Sequence, residues 1–244
     1  MTSKSRLGFL KLGLSSFRIR DSYCNIVVLG AEEVGKTALV VRFFTKKYLP
    51  EYSHSPSTCY ERNVSLNDKM LPVRVLDTSG KESFTSLKAR GTLDGAHGYV
   101  VVYSVTDKRS FFKARDLLKL LNDDFGNDGR TPIAIIGNKD DLGHLRSVSA
   151  KEAQRISLTY PRCTFQECSA AREAHNVETA FQDFLQQVIQ SKGEKRPLSA
   201  LAALTSKSQN PRRNSAGNFT LNNWWRRPRF SSERDSRQDR TFTM

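Results

Sequence analysis

Few short motifs restrict a fold as tightly as Gly30-Ala31-Glu32-Glu33-Val34-Gly35-Lys36-Thr37 does here. It follows an apolar run, Asn25–Leu29, and precedes Lys36–Phe44, where Ala38, Leu39, Val40, Val41 and Phe43 recur at helical spacing. A strand, a GxxxxGK[ST] loop and a helix in that order turn several backbone N–H groups toward one concavity at a helix N-terminus. That concavity and the helix dipole suit phosphate oxygens. Within it the Lys36 ammonium reaches the β- and γ-phosphates and the Thr37 hydroxyl is placed to ligate Mg2+. Gly30 to Ala38 is therefore the expected phosphate-binding segment, and by itself it does not separate ATP from GTP.

The rest of the middle of the chain alternates strands with amphipathic helices, the pattern of a mainly parallel sheet. Tyr60–Leu66 and Leu71–Asp77 alternate about the turn pair Asn67-Asp68 and predict an antiparallel hairpin. Glu82–Arg90 predicts a short helix, Gly98–Val105 a buried strand, Lys108–Asn122 a helix and Thr131–Gly137 another buried strand. Ser149–Thr159 reads as a helix opened by a capping box between Ser149 and Glu152, followed by strand Cys163–Cys168 and helix Val177–Gln190. The expected fold is α/β: an open six-stranded, mostly parallel sheet with one antiparallel strand and five helices on its two faces.

Composition bounds the organisation. The chain has 244 residues, 38% hydrophobic and 26% charged, which fits a soluble domain of about 170 residues with flanks. No apolar run approaches the length of a membrane-spanning helix. The net charge of +14 sits at the ends, leaving residues 21–191 at +1. The expected parts are a basic extension at 1–21, a folded domain at 22–191, and a basic tail at 192–244 whose Ser, Asn, Pro and Arg build no core. Cys24, Cys59, Cys163 and Cys168 match neither a zinc pair nor a disulfide framework and read as buried, reduced thiols. The four histidines do not cluster with a Ser, Cys or carboxylate set, and none is assigned a catalytic or metal role.

Three further motifs give the phosphate loop its context. Asn138-Lys139-Asp140-Asp141 follows a strand and so lies at the carboxyl edge of the sheet, where open α/β folds bind ligands. There Asp141 can accept both N1–H and N2–H of guanine, a donor pair that adenine lacks. Asn138 would bridge to the phosphate loop and the Lys139 stem would cover the ring. Ser169-Ala170-Ala171 ends the last strand, where the Ala170 N–H can meet the guanine O6. Asp77-Thr78-Ser79-Gly80 ends the third strand. Asp77 can hold Mg2+ through water, and the Gly80 N–H can approach a γ-phosphate unobstructed.

With these four motifs in order, residues 22–191 resemble the Ras superfamily of small GTPases, whose fold is the P-loop NTPase G domain. The stretch Thr37–Tyr48 with Glu51-Tyr52 is most similar to the branch of Ras-related oestrogen-regulated growth inhibitors and Ras-like relatives. The resemblance implies a monomeric switch that binds GTP and GDP with Mg2+, meeting effectors and regulators through residues 48–60 and 79–90. It also implies that Tyr48 stacks on the guanine edge and that Ser55 is the switch-one hydroxyl ligand to Mg2+.

The departures bear on mechanism. Glu32 and Glu33 stand where Ras proteins favour Gly, and a side chain at the first position crowds the γ-phosphate and the path of an arginine finger. Lys81 replaces the water-orienting Gln, and an ammonium only donates, so it cannot accept a hydrogen bond from the attacking water. Two readings stay open. In one, the protein is a switch with slow GTP hydrolysis, in which Lys36 and Lys81 stabilise phosphate charge and Glu32 or Glu33 steadies Lys81. In the other, it is a nucleotide-loaded adaptor that rarely hydrolyses and is targeted by its basic tail. His54-Ser55-Pro56 in switch one makes standard Ras effectors unexpected partners. Phe84 and Leu87 in switch two could form a partner surface or pack against the third helix.

The chain ends Thr-Phe-Thr-Met with no cysteine after Cys168, so no prenyl anchor is expected, and Thr2 argues against myristoylation. Leu7, Leu10, Leu14 and Phe17 align on one helical face of the basic N-terminal extension, suiting an anionic membrane, a mitochondrial presequence or no partner at all. Trp224-Trp225-Arg226-Arg227-Pro228-Arg229-Phe230 suits a membrane interface, a nuclear or nucleic-acid contact, or a solvated tail, and Ser215 follows two arginines as a kinase site would. The expected location is the cytoplasm, with a nuclear or membrane-peripheral pool.

Overall fold

The computed structural model describes residues 23–49, 57–126, 131–172 and 174–193. Six strands, β1 (Cys24–Gly30), β2 (Thr58–Leu66), β3 (Lys69–Asp77), β4 (Gly98–Ser104), β5 (Ile133–Asn138) and β6 (Cys163–Glu167), form one sheet in the order β2-β3-β1-β4-β5-β6. Among the described residues only β2 and β3 pair antiparallel. Their turn, Asn67-Asp68, has φ of 50° and 60°, the left-handed pair that a two-residue hairpin needs to match strand twist. Asn and Asp tolerate that region better than other side chains, so the turn residues themselves set the register from Thr58 opposite Asp77 to Leu66 opposite Lys69.

Five helices cover the sheet: α1 (Lys36–Thr45), α2 (Phe84–Ala89), α3 (Lys108–Phe125), α4 (Ala150–Ser157) and α5 (Ala174–Gly193). On one face Leu39, Val40 and Phe43 of α1 meet Phe181, Phe184 and Val188 of α5, with Phe43 and Phe181 stacked at 4.5 Å. On the other, Phe111, Ala114, Leu117, Leu118 and Leu121 of α3 pack with Phe84 and Leu87 of α2 and Ala153 of α4. Each such side chain removed from water contributes about 1.5–3 kcal/mol, so the two faces hold the strand ends rigidly. At three helix starts a side chain caps the backbone, and Ser83, Asp107 and Ser149 accept from the backbone N–H groups of Ser86, Arg109 and Glu152; of these the sequence reading names Ser149.

The element boundaries differ from the sequence reading at several ends. β5 begins at Ile133 rather than Thr131, and Pro132, which has no N–H to donate, accepts from the Tyr99 N–H before the strand. α3 runs on to Phe125 and α5 spans Ala174–Gly193, because Phe125 and residues around Val177 find apolar neighbours. Phe84 and Leu87 are buried, so switch two offers neither as a partner surface. Cys24 and Cys168 are buried, whereas Cys59 and Cys163 are only half-buried; all four are free thiols.

Candidate functional site

Parallel pairing brings the carboxyl ends of β1, β3, β5 and β6 to one edge of the sheet, and the four motifs leave from those ends. Gly35 caps α1 at φ 88°, and a Cβ there would come within 2.3 Å of Asn138 Nδ2. Only glycine gives both that conformation and that space. Glu33 also takes a left-handed φ of 59°, at a cost of about 1–2 kcal/mol that a glycine would not incur. Glu32 and Glu33 are both exposed.

Lys36 is 6% exposed and donates to the Ala31 carbonyl at 2.6 Å, folding its ammonium over the loop. Burial pushes its pKa down to about 8, against the attraction of Asp77 and Glu32 and with the repulsion of Lys113. The Thr37 hydroxyl donates to Asp77 Oδ2 at 2.6 Å, joining loop and β3. The other oxygen, Asp77 Oδ1, is buried without a hydrogen-bond partner, and burial raises the carboxyl's pKa despite the Thr37 bond and Lys36. A buried carboxylate oxygen left unpaired beside a hydroxyl is a hard-oxygen donor set, and it fits Mg2+ held directly by Thr37 and through water by Asp77. Ser55 lies outside the described residues. Tyr48 is exposed, three residues beyond the end of α1.

At the opposite end Asn138 uses both sides of its amide. Its Nδ2 donates to the Val34 carbonyl at 2.8 Å, and its Oδ1 accepts from the Ala170 N–H at 3.1 Å. The phosphate loop, β5 and the Ser169–Ala171 loop are thereby locked together around a buried side chain. Ser169 Oγ donates to Asp141 Oδ1 at 2.5 Å and accepts from the Ala171 and Arg172 N–H groups. Lys139 takes φ 67°, which turns the chain sharply into the 3-10 turn Asp140–Leu145.

Three contributions escape the sequence reading. Arg146 donates to Asp140 Oδ1 at 2.5 Å and to Glu167 Oε1 at 2.8 Å, and Glu167 also accepts from the Tyr103 hydroxyl at 3.1 Å. This network props the Asn138–Asp141 loop from beneath. Ser57 Oγ accepts from the Ser79 N–H at 3.1 Å and donates to Glu82 Oε2 at 3.1 Å, tying the start of β2 to switch two. Lys113 on α3 donates to the Gly80 carbonyl at 2.8 Å. Arg146, Glu167, Tyr103, Ser57 and Lys113 belong to none of the four motifs, and each partner is at least 21 positions away, apart from Asp140. The sequence reading left either Glu32 or Glu33 to steady Lys81; it is Glu32 whose carboxylate stands 3.7 Å from the Lys81 ammonium, with both side chains exposed.

Comparison with known proteins adds to this geometry. A sequence model of the Ras family matches residues 25–190. The chain is 32% identical over 169 residues to the Ras-related and estrogen-regulated growth inhibitor of Homo sapiens, covering 69% of this chain and 83% of that protein. It is 33% identical over 192 residues to Ras-like protein family member 11B of Danio rerio, covering 76% and 77%. Against the GTP-binding protein rhb1 of Schizosaccharomyces pombe it is 31% identical over 166 residues, covering 67% and 86%.

Proposed function

The chain belongs to the Ras family, and from that premise we propose that it is a signalling protein that binds GTP and GDP with Mg2+ and hydrolyses GTP slowly. The observation that carries the binding half is the Asn138 amide, which joins the phosphate loop through Val34 to the base loop through Ala170. One buried side chain thus sets the distance between the phosphate and base ends. Asp141, with one oxygen oriented by Ser169, accepts the two guanine donors, and the buried Lys36 ammonium gains phosphate as its counter-charge in place of the Ala31 carbonyl. Thr37 directly and Asp77 through water would hold Mg2+, which would supply positive charge against the phosphates.

Slow hydrolysis follows from the residues around the γ-phosphate end. Lys81 cannot accept a hydrogen bond from the attacking water, and its ammonium faces Glu32 across 3.7 Å. A side chain at position 32 would also crowd the space that an arginine finger enters in Ras proteins, where such a finger is worth about 10³–10⁵ in rate. The same pair favours a second reading, a nucleotide-loaded adaptor that hardly turns over. On either reading the protein works as a cytoplasmic monomer, and the basic ends outside the described residues supply contacts with anionic membrane or a nuclear partner.

Single-turnover hydrolysis of bound GTP tests this reading. The Glu32→Gly/Lys81→Gln double variant should hydrolyse about a hundredfold faster than the wild type, the low end of what one positioned proton-transfer partner contributes. A wild type as fast as the double variant would overturn slow hydrolysis. If the purified protein carries GTP and still shows no turnover over hours, the adaptor reading is the better one.

A further inference from the structure

We propose that Lys113 is a positioning residue for the γ-phosphate end of the site, tying the Gly80 carbonyl to α3 and so setting how switch two presents the Gly80 N–H. This rests on the guanine-nucleotide reading above.

Gly80 has almost no freedom on its inner side. A Cβ at this position would lie 2.5 Å from the Glu32 N and 2.7 Å from the Ala31 carbonyl carbon, so its backbone rests directly on the phosphate loop. Its carbonyl faces the other way and accepts from Lys113 Nζ at 2.8 Å. Lys113 is carried by a rigid base, because its neighbour Ala114 is fully buried and Phe111, Leu117 and Leu118 anchor the same helix. On the two sides of Gly80, Ser79 is held by the Ser57 hydroxyl, and Glu82 by both Ser57 and Arg90, the latter at 2.9 Å. Lys88, further along switch two, pairs with Asp124 at the far end of α3 at 2.5 Å. Switch two is thus tied to α3 at both ends, and Lys113 provides the tie next to the phosphate loop.

Charge gives the contact a second consequence. The Lys113 ammonium sits on the Gly80 carbonyl, and that of Lys81, the next residue in the chain, faces Glu32 at 3.7 Å. The γ-phosphate adds negative charge where these ammonium groups gather, so the arrangement favours GTP over GDP through electrostatics and through the fixed Gly80 peptide.

Lys113→Ala and Lys113→Arg, in the full chain, decide the matter. Two quantities are measured: the affinity for a non-hydrolysable GTP analogue relative to GDP, and hydrogen exchange of the backbone amides of residues 79–82. Lys113→Ala should lower the GTP-analogue preference about three- to tenfold, the scale of one partly exposed charge-assisted hydrogen bond, with GDP affinity held within about twofold. Exchange at 79–82 should speed up, and Lys113→Arg should restore both. The proposal is overturned if neither quantity moves, or if GDP and analogue weaken equally. Should the wild-type protein bind neither nucleotide, the guanine-nucleotide reading fails instead, and the exchange comparison alone decides whether Lys113 holds Gly80.

Discussion

Asn138 shows how much one side chain can decide. Its amide nitrogen and oxygen each meet a backbone group from a different loop, and the side chain is buried, so no water replaces either partner when it is removed. Asn138→Ala should therefore destabilise the fold by about 2–3 kcal/mol, counting two lost hydrogen bonds and the groups they leave unpaired. Urea unfolding monitored by circular dichroism measures this. Asn138→Asp keeps the acceptor for Ala170 but sets a buried carboxylate oxygen against the Val34 carbonyl, and should cost at least as much. Glu33 and Lys139 make the opposite case: both hold left-handed backbone without glycine, and both lie in motif loops where strain is characteristic of functional sites.

At the scale of elements, the β2–β3 hairpin is the most locally encoded part of the sheet. Asn67 and Asp68 both take positive φ, so the turn tolerates them and penalises branched side chains. Asn67→Val/Asp68→Val should cost about 2–4 kcal/mol at roughly 1–2 kcal/mol per forced left-handed residue, whereas Asn67→Gly should be near neutral; thermal unfolding of the two variants distinguishes them. The hairpin, the Ser149 cap of α4 and the strand–loop–helix of the phosphate site were all legible in sequence, because each depends on residues a few positions apart. The fate of Phe84 and Leu87 was not. An apolar pair on a six-residue helix is compatible with exposure or burial, and only the approach of α3 buries it.

Across the whole molecule, burial governs the thiols. It pushes Cys24 up to about 11 and Cys59, Cys163 and Cys168 up to about 12, with Arg74 opposing at Cys59 and Lys192 at Cys24. In the unfolded chain these thiols ionise near their ordinary value of 9.0. Between pH 9 and about 12 the folded state therefore binds more protons than the unfolded state, and stability falls as pH rises through that window. Tyr99 and Tyr103, also pushed up first by burial, act in the same sense. Urea midpoints should decline from pH 9 upward and stay unaffected by these thiols below it. Iodoacetamide at pH 8 should alkylate the folded protein slowly and the urea-unfolded protein fast; equal rates would contradict the raised thiol values.

By itself the sequence determined the order of strands and helices, the hairpin, the four loop motifs and their common edge. These depend on local periodicity, on glycine, Asn and Asp at special backbone angles, and on the rule that parallel strands end on one side. What only the tertiary structure decided is how those loops are held to one another. Lys113 on Gly80, Ser57 between Ser79 and Glu82, and the Arg146–Glu167–Tyr103 network leave no periodic trace, since a hydrogen bond between distant residues depends on where packed helices and strands bring their side chains.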